Sequence, residues 1–270
     1  MFDGKINAEV LVLGSSRAKK HFVVTVMEKE LKCSVFNLGM DGANIFMQQT
    51  IWYAYLHNNT NPRIIILEMD DSRLEKDKVV FNKVQFIPYL FQEEIFHSLR
   101  SVKGFSYADL LIPMYKYHDY EKLVWTGIKS LIKSRHDSLT EFNRGYEPLT
   151  GELKDTTEQK KIFRLNLQEV KNSLGLISKL YDSLKLRGIK LILVKTPKYK
   201  DGNLEIVNKI AVRKLVDEFI LKNNIPYLNY CDGNFKNDTA LFYDKEHLNY
   251  KGAELFTRIL CKDLINMKGL

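Results

Sequence analysis

Five short apolar runs, rich in β-branched residues, recur along the chain and predict buried strands. They cover residues 9–13, 34–38, 63–68, 190–194 and 226–229. Between them, apolar positions recur with helical spacing near residues 18–32, 44–58, 163–187, 205–223 and 250–265. Alternation of this kind predicts a parallel sheet that is covered by helices on both faces. The expected fold class is therefore α/β.

The alternation of strands and helices stops between about residue 70 and residue 158, where aromatic residues mix with Lys, Arg and His. This stretch is too long for a loop, so it predicts a mostly helical insertion at about residues 75–160, packed over one edge or end of the sheet. A run of turn-forming residues at 143–151 returns the chain to the sheet. We expect one domain over residues 1–270 that carries this insertion.

Composition narrows the class of protein but not its function. The chain has 270 residues, of which 45% are hydrophobic and 27% are charged, and this balance is typical of globular proteins rather than disordered or collagenous ones. Lys and Arg exceed Asp and Glu by 41 to 33, which gives a net charge of +8. The excess suits anionic partners, but the cations are interspersed with acids, so nucleic-acid binding is not expected.

Several classes of site and segment are not expected. Three widely spaced cysteines, Cys33, Cys231 and Cys261, indicate neither a disulfide framework nor a zinc site, and buried thiols are the simpler interpretation. Glycine-rich phosphate-binding motifs are missing, which disfavours nucleotide binding. We expect no cofactor and no metal. No apolar run approaches the roughly 18 residues of a membrane span, and no signal peptide precedes the first strand. The chain is thus expected to be soluble as written, and a membrane-anchored parent and its compartment are left open.

The first candidate for chemistry follows the first strand, where Gly14-Ser15-Ser16-Arg17 leads into a helix. Ligands of open α/β sheets gather beyond the carboxyl ends of the strands, so a hydroxyl at this turn is well situated for chemistry. A serine here is more often a helix N-cap than a nucleophile, because its oxygen accepts from free backbone N–H groups. Both interpretations stay open on this motif alone.

Two further segments have the same setting. The second strand ends in a turn that contains Gly39, Gly42 and Asn44, whose backbone N–H groups could surround an oxyanion or simply form a tight turn. Near the carboxyl end, Asp244 precedes His247 by three residues in an irregular loop. A carboxylate at this spacing can accept from one imidazole nitrogen and leave the other free to act as a base for a serine.

Taken together, these segments resemble the SGNH (GDSL-like) hydrolase superfamily. The first block matches Gly14-Ser15-Ser16, the second Asn37-Leu-Gly39-x-x-Gly42, and the last Asp244-x-x-His247. The resemblance implies a flavodoxin-like three-layer α/β/α sandwich with a central five-stranded parallel sheet. It also implies that Ser16 is the nucleophile and that Gly42 lends its backbone N–H to the oxyanion.

The Gly-Ser-Ser-Arg form and the turn Gly145-Tyr-Glu-Pro148 look especially like bacterial SGNH proteins of surface-polymer metabolism. Relatives of that type include proteins similar to the D-alanine transfer protein and to polysaccharide O-acetyltransferases. The resemblance departs from the family at the third block, Gly-x-Asn-Asp, because Glu68 to Asp71 follow the third strand instead. An ionised carboxylate cannot donate to an oxyanion, so Asn44 or another amide must substitute, or catalysis is weak or absent.

Two functions of different classes follow from this sequence. The first is an enzyme, a serine-dependent acyl-ester hydrolase or O-acyltransferase that acts on a carbohydrate or cell-surface polymer ester through Ser16, His247 and Asp244. Its partner would be a small acyl ester or a carbohydrate. The second is a catalytically weak or inactive glycan-binding module. The residues expected to bind the oxyanion or the substrate are Gly39, Gly42, Asn44 and Arg17.

Overall fold

The computed structural model describes residues 4–75, 82–102, 104–118, 120, 143–154, 160–200, 202, 204–231 and 233–267. The chain divides into two compact units, one of residues 1–76 with 143–270 and the other of residues 77–142. The expected organisation, a single domain with an insertion at about residues 75–160, stays a prediction.

The larger unit is built on a five-stranded, wholly parallel sheet. Its strands, in chain order, are β1 (Val10–Leu13), β2 (Val35–Asn37), β3 (Ile64–Glu68), β5 (Lys190–Lys195) and β7 (Tyr227–Asn229). In space they are ordered β2-β1-β3-β5-β7, which is the flavodoxin-like order with β1 beside the point where the winding reverses. Each predicted run matches one of these strands to within one residue at each end, so the predicted sheet is confirmed.

Helices cover both faces of this sheet. In chain order they are α1 (Ser16–His21), α2 (Val24–Leu31), α3 (Ile45–Asn58), α6 (Leu167–Leu186), α7 (Lys209–Asn223) and α8 (Tyr250–Asn266). Helices α4 (Glu93–Ser101) and α5 (Tyr107–Leu111) belong to the smaller unit.

The strands bury both of their faces, because successive side chains point in opposite directions. Val10 and Val12 of β1 join a core with residues of α1, α2 and α8. Leu11 and Leu13 join a second core with residues of α3, α6 and α7. Two cores on opposite sides of one sheet form the predicted three-layer α/β/α sandwich, and the fold class is confirmed.

One predicted helix is in fact two. The apolar pattern predicts a continuous helix over residues 18–32, whereas the structure breaks it between α1 and α2 at Phe22 and Val23. The free backbone groups at the break are satisfied by Thr257 of α8, whose Oγ1 accepts from Val23 N at 3.0 Å and lies 3.0 Å from His21 O. Because this partner is so distant in sequence, the local pattern gave no sign of the break.

A small parallel sheet was not predicted. It pairs β4 (Lys161–Phe163) with β6 (Leu204–Ile206). The helical pattern had assigned the ends of both strands, from residue 163 and from residue 205, to the first turns of α6 and α7. The two helices begin later, after Asn166 and Asn208. Asn208 joins the two segments, since its side chain accepts from Leu165 N at 3.1 Å and donates to Leu165 O at 2.9 Å.

In the smaller unit, the described residues form α4, α5 and short 3-10 helices, as the prediction of a mostly helical insertion required. Helix α4 buries Ile95, Phe96 and Leu99, so part of its apolar content is core. Phe91 and Tyr107 are exposed. Residues 121–142 of the predicted insertion lie outside the described residues.

Membrane-spanning helices and disulfide bonds were not expected from the sequence, and the structure describes both features. None of the helices in the described ranges is long and apolar enough to cross a membrane. All three cysteines are free thiols, and Cys261 is buried while Cys33 and Cys231 are half-buried.

Substitution of two glycines by alanine tests whether the backbone has the conformation described at each position. Gly145 has a φ of 87°, and a Cβ there would lie 1.9 Å from Asn37 O. Gly175 lies within α6, and a Cβ there would meet nothing within 4 Å. We expect Gly145→Ala to lower the free energy of unfolding by about 2 kcal/mol or more through strain and displacement. Gly175→Ala should raise it by about 1 kcal/mol, because alanine is the better helix former.

Urea unfolding of both variants checks these values. If Gly145→Ala unfolded at the same urea concentration as the parent protein, the close approach of Gly145 to Asn37 O of β2 would be contradicted.

Candidate active site

The turn after β1 brings a serine to the carboxyl edge of the sheet. Gly14 has a φ of 157°, and a Cβ there would lie 2.5 Å from Ala18 Cβ and 2.6 Å from Glu68 Cβ. Only glycine lets α1 start this close to β3. Ser15 and Ser16 follow at once, and the structure gives these two serines different surroundings.

Ser15 is the N-cap of α1 and is buried. Its Oγ accepts from Arg17 N at 3.4 Å and donates to Glu68 Oε2 at 2.8 Å. The same carboxylate oxygen accepts from Ser15 N at 3.1 Å. The capping role that the sequence left open for a serine in this turn is therefore taken by Ser15, and the hydroxyl of Ser16 is not used for it.

Ser16, His247 and Asp244 lie in one chain of hydrogen bonds. Ser16 Oγ is 2.8 Å from His247 Nε2, and His247 Nδ1 is 3.0 and 2.9 Å from the two carboxylate oxygens of Asp244. All three side chains are only partly buried, so a small molecule can reach them. The arrangement can hold the imidazole in one orientation and leave Nε2 to accept the serine proton.

The loop that carries Asp244 and His247 is organised by the same carboxylate. Asp244 Oδ1 accepts from the backbone N–H groups of Glu246 and His247, each at 2.8 Å. Burial alone would raise the pKa of Asp244, but the hydrogen bonds from the His247 side chain and from this backbone hold the pKa below its ordinary value. Asp244 is therefore ionised at neutral pH and can stabilise an imidazolium.

The turn after β2 lies against the turn after β1. Met40 N donates to Gly14 O at 3.0 Å, so the segment from Gly39 to Gly42 runs beside the Ser15–Ser16 turn. Gly42 has a φ of 72° and its oxyanion role stays a prediction. Gly39 N–H instead donates to Asn37 Oδ1 at 2.9 Å, so this N–H group is already occupied.

Asn44 is the N-cap of α3. Its Oδ1 accepts from Met47 N at 3.0 Å, and the residue is buried. This contact explains an asparagine at the start of the helix without any role in chemistry. A donor role for the amide group of Asn44 stays a prediction.

Arg17 has a different role from the predicted one. It was expected to bind the oxyanion or the substrate, but its side chain is buried and its Nη2 forms ion pairs with Asp70 and, at 2.8 Å, with Glu246. Lys198 Nζ adds contacts of 3.2 Å to Asp70 and 3.7 Å to Glu246. Burial would raise the pKa of Asp70, but the charge of Arg17 lowers it far below its ordinary range.

This buried ion-pair network was not predicted. It joins the turn after β1, the end of β3 and the last loop, through Arg17, Asp70 and Glu246. The residues that stand in place of the missing third block thus have structural partners, since Glu68 holds Ser15 and Asp70 holds Arg17. The sequence held one signal for this network, the acids between Glu68 and Asp71 at the end of the buried strand β3. Their partners are distant in sequence, so the ion pairs themselves could not be predicted.

His21, at the end of α1, also has a role near the site that the sequence analysis did not predict. It is fully buried, its Nε2 accepts from Leu248 N at 2.9 Å, and its ring lies edge-on to the His247 ring with centroids 6.2 Å apart. Burial lowers the pKa of His21 well below 6.5, and the neighbouring His247 adds to the effect. His21 is therefore neutral and fixes the backbone beside His247.

The structure also bears on cofactors. Among the described residues, no group of three or more His, Cys, Asp or Glu side chains is arranged to hold a metal ion.

Comparison with known proteins gives likenesses of structure. No family model matches the chain, and no curated protein matches it significantly. One solved structure to which it is similar is a protein of the G-D-S-L family from Desulfitobacterium hafniense, assigned as lipolytic. That likeness has a TM-score of 0.49 and 10% identity, over 94% of this chain and 97% of the other.

Two further likenesses are of the same kind. An acetylxylan esterase from Geobacillus stearothermophilus gives a TM-score of 0.46 and 10% identity over 98% and 96% of the two chains. A GDSL-like lipase from Bacteroides thetaiotaomicron gives 0.45 and 12% over 94% and 88%. These neighbours are described as G-D-S-L or esterase proteins. All three TM-scores lie below 0.5, so function has to be argued from the site.

The buried His21 makes stability depend on pH. Its pKa is about 6.5 in the unfolded chain and well below this in the folded protein, so the unfolded state binds the additional proton as the pH falls. We expect His21 to lower the free energy of unfolding by about 1.4 kcal/mol per pH unit as the pH falls below 6.5, until the folded-state pKa is reached. Urea unfolding between pH 7.5 and 5 measures this dependence.

His21→Asn is the comparison, because asparagine offers Leu248 an acceptor but does not titrate. Its dependence on pH should be shallower than that of the parent protein by about one proton. Equal slopes in the two proteins would show that His21 does not titrate differently on unfolding.

Proposed function

We propose that this chain is an SGNH-type serine esterase or O-acyltransferase that acts on an acyl ester of a carbohydrate. The observation that carries the proposal is the 2.8 Å contact between Ser16 Oγ and His247 Nε2, together with the Asp244 carboxylate at His247 Nδ1. A serine and an imidazole at this distance, with an acid that orients the ring, are the parts that nucleophilic acyl transfer requires.

The reaction follows from these contacts. Ser16 Oγ attacks the ester carbonyl carbon while His247 Nε2 takes the serine proton, and Asp244 stabilises the imidazolium that forms. The tetrahedral intermediate then expels the alcohol, which takes the proton from His247, and the acyl group stays on Ser16. Water or a sugar hydroxyl attacks this acyl-enzyme and gives its proton to His247. The acid or the new ester leaves as Ser16 recovers that proton.

The oxyanion of the intermediate needs hydrogen-bond donors beside Ser16. The backbone N–H groups of Ser16 and Gly42 are our candidates, because the turns that carry them are hydrogen-bonded to each other through Gly14 and Met40. Asn44, two residues after Gly42, is the candidate side-chain donor. No amide follows β3 directly, and Asn44 is our candidate to replace the missing third-block donor.

The carbohydrate part of the proposal rests on the resemblance stated from the motifs. The aromatic residues of the unit of residues 77–142 do not add to it. Phe86 and Phe96 are core residues. Lys116 and Arg100 lie over the rings of Phe91 and Tyr107.

Substitutions in the hydrogen-bonded chain test the proposal. Ser16→Ala and His247→Ala should each remove nearly all hydrolysis of 4-nitrophenyl acetate and of acetylated xylotriose. The double variant should be little worse than either, because residues that act as a unit have non-additive effects. Initial rates give the comparison, and additive losses would contradict a shared mechanism.

A fluorophosphonate probe separates the enzyme from the alternative of a glycan-binding module. The parent protein should be labelled at Ser16, and the label should be lost in Ser16→Ala. Ser106→Ala, which removes an exposed serine from the other unit, is the matched control and should be labelled like the parent. A folded parent protein that takes no label would favour the binding module.

Asn44→Ser tests the side-chain donor. Serine keeps an oxygen for the N-cap of α3 but lacks the amide group, so stability should change little while kcat falls by about a hundredfold. Hydrolysis of 4-nitrophenyl acetate and thermal unfolding are measured on the same preparation. If kcat stays within about twofold of the parent value, Asn44 is a helix cap and not an oxyanion donor.

A further inference from the structure

A cavity of about 310 Å³ opens at the same edge of the sheet as the candidate active site. Its floor includes Lys195 at the end of β5, Asn229 at the end of β7 and Asp71 just after β3. The small sheet and the first turn of α7 form the other walls. We call it the basic cavity, because cations dominate its lining.

The charge of this lining is strongly one-sided. Seven cationic side chains meet here: Lys160, Lys195, Lys198, Lys200, Lys209, Arg213 and Lys236. The only carboxylates in the lining, among the residues that the structure describes, are Asp71 and Glu205. Among the described residues of the lining, cations therefore outnumber carboxylates by five.

Both carboxylates already have cationic partners. Asp71 Oδ2 lies 2.5 Å from Lys195 Nζ, and Glu205 lies 3.8 Å from Lys160 Nζ. Lys198 and Arg17 together balance Asp70 and Glu246. Arg213 lies 4.0 Å from Asp217. Three lining cations, Lys200, Lys209 and Lys236, are not part of these ion pairs.

The start of α7 adds to the positive potential. Its first turn has no acidic residue, and it presents Lys209, Ile210 and Arg213 to the cavity. The N-terminal end of a helix already carries a partial positive charge, so acids are favoured there and cations are unfavourable. Cations at this end lower the stability of the helix unless an anion binds beside them.

The cations of the basic cavity differ in their exposure to solvent. The seven cations come from separate segments of the chain and converge on one concave space. Lys195 and Lys198 are largely withdrawn from solvent, with 15% and 13% of their side chains exposed. Like charges that are brought together in a concave site with low solvent exposure repel one another and concentrate anions.

We propose that the basic cavity binds a group with two or more negative charges, phosphate or carboxylate, on the molecule that donates or accepts the acyl group. The link to acyl transfer rests on the proposed function, whereas anion binding does not. Ion pairs link the two sites, because Lys198 lies 3.7 Å from Glu246, which precedes His247 and pairs with Arg17 next to Ser16. An anionic substrate held in the cavity would present its ester at the same sheet edge.

Binding is measured first, without turnover. Tripolyphosphate and trigalacturonate serve as the phosphate and carboxylate probes, and calorimetry at two salt concentrations gives their Kd values. The variant Lys209→Gln/Lys236→Gln removes two charges of the cavity. The control Lys179→Gln/Lys214→Gln removes two charges from α6 and α7 that do not line it.

We expect the parent protein to bind one or both probes, more weakly at higher salt. The cavity variant should bind about tenfold more weakly or worse, and the control should stay within about twofold of the parent. Binding of only one probe supports the proposal and identifies the anion. Binding of neither, or equal weakening in the control, overturns it.

Turnover then tests the link to the candidate active site. The cavity variant should keep the parent rate on acetylated xylotriose, which is neutral, and lose about tenfold in kcat/KM on acetylated trigalacturonate or an acetylated sugar phosphate, whichever anion is bound. Equal losses on neutral and anionic esters would overturn the substrate proposal.

The failure of this inference and that of the proposed function can be told apart. Ser16→Ala should bind the anionic probe like the parent protein, since Ser16 does not line the cavity. Normal anion binding in a protein without esterase activity would support the cavity and reject the enzyme. An active esterase that binds neither probe would support the enzyme and reject anion binding by the cavity.

Discussion

The candidate site depends on one buried cation. Arg17 pairs with Asp70 and Glu246, and in doing so it joins the turn after β1, the end of β3 and the loop before α8. A guanidinium that is removed from water needs this compensation, because an unpaired buried charge is strongly destabilising. Ser16 and His247 are the direct sequence neighbours of Arg17 and Glu246. The ion pairs therefore set the separation of the two residues that we propose for catalysis.

Much of the fold could be predicted from the sequence, because it follows from local patterns. The buried strands are continuous aliphatic runs, and their alternation with helices predicts parallel pairing. The strand order was implied only by the resemblance to the SGNH superfamily. The break between α1 and α2 could not be predicted in this way, since the group that satisfies it, Thr257, belongs to α8. The small sheet was missed because its three-residue strands look like the first turns of the helices that follow.

The candidate site was predictable to a similar degree. Ser16, Asp244 and His247 stand in short motifs at the ends of elements, so their meeting at the sheet edge could be predicted. The same reasoning could not tell that Ser15 would cap α1, that Arg17 would be buried or that His21 would support the loop. Those roles depend on contacts between residues far apart in the chain, and no local spacing encodes them.

The Ser16–His247 contact is part of a closed cycle of bonds. Helix α1 runs from Ser16 to His21, His21 accepts from Leu248, and the chain leads back from Leu248 to His247 and across the hydrogen bond to Ser16. A cycle that contains one helix of six residues and two hydrogen bonds has few ways to deform. The two residues that we propose as nucleophile and base are thereby held from both sides. We expect different substrates to be accommodated by the walls around the pair rather than by its movement.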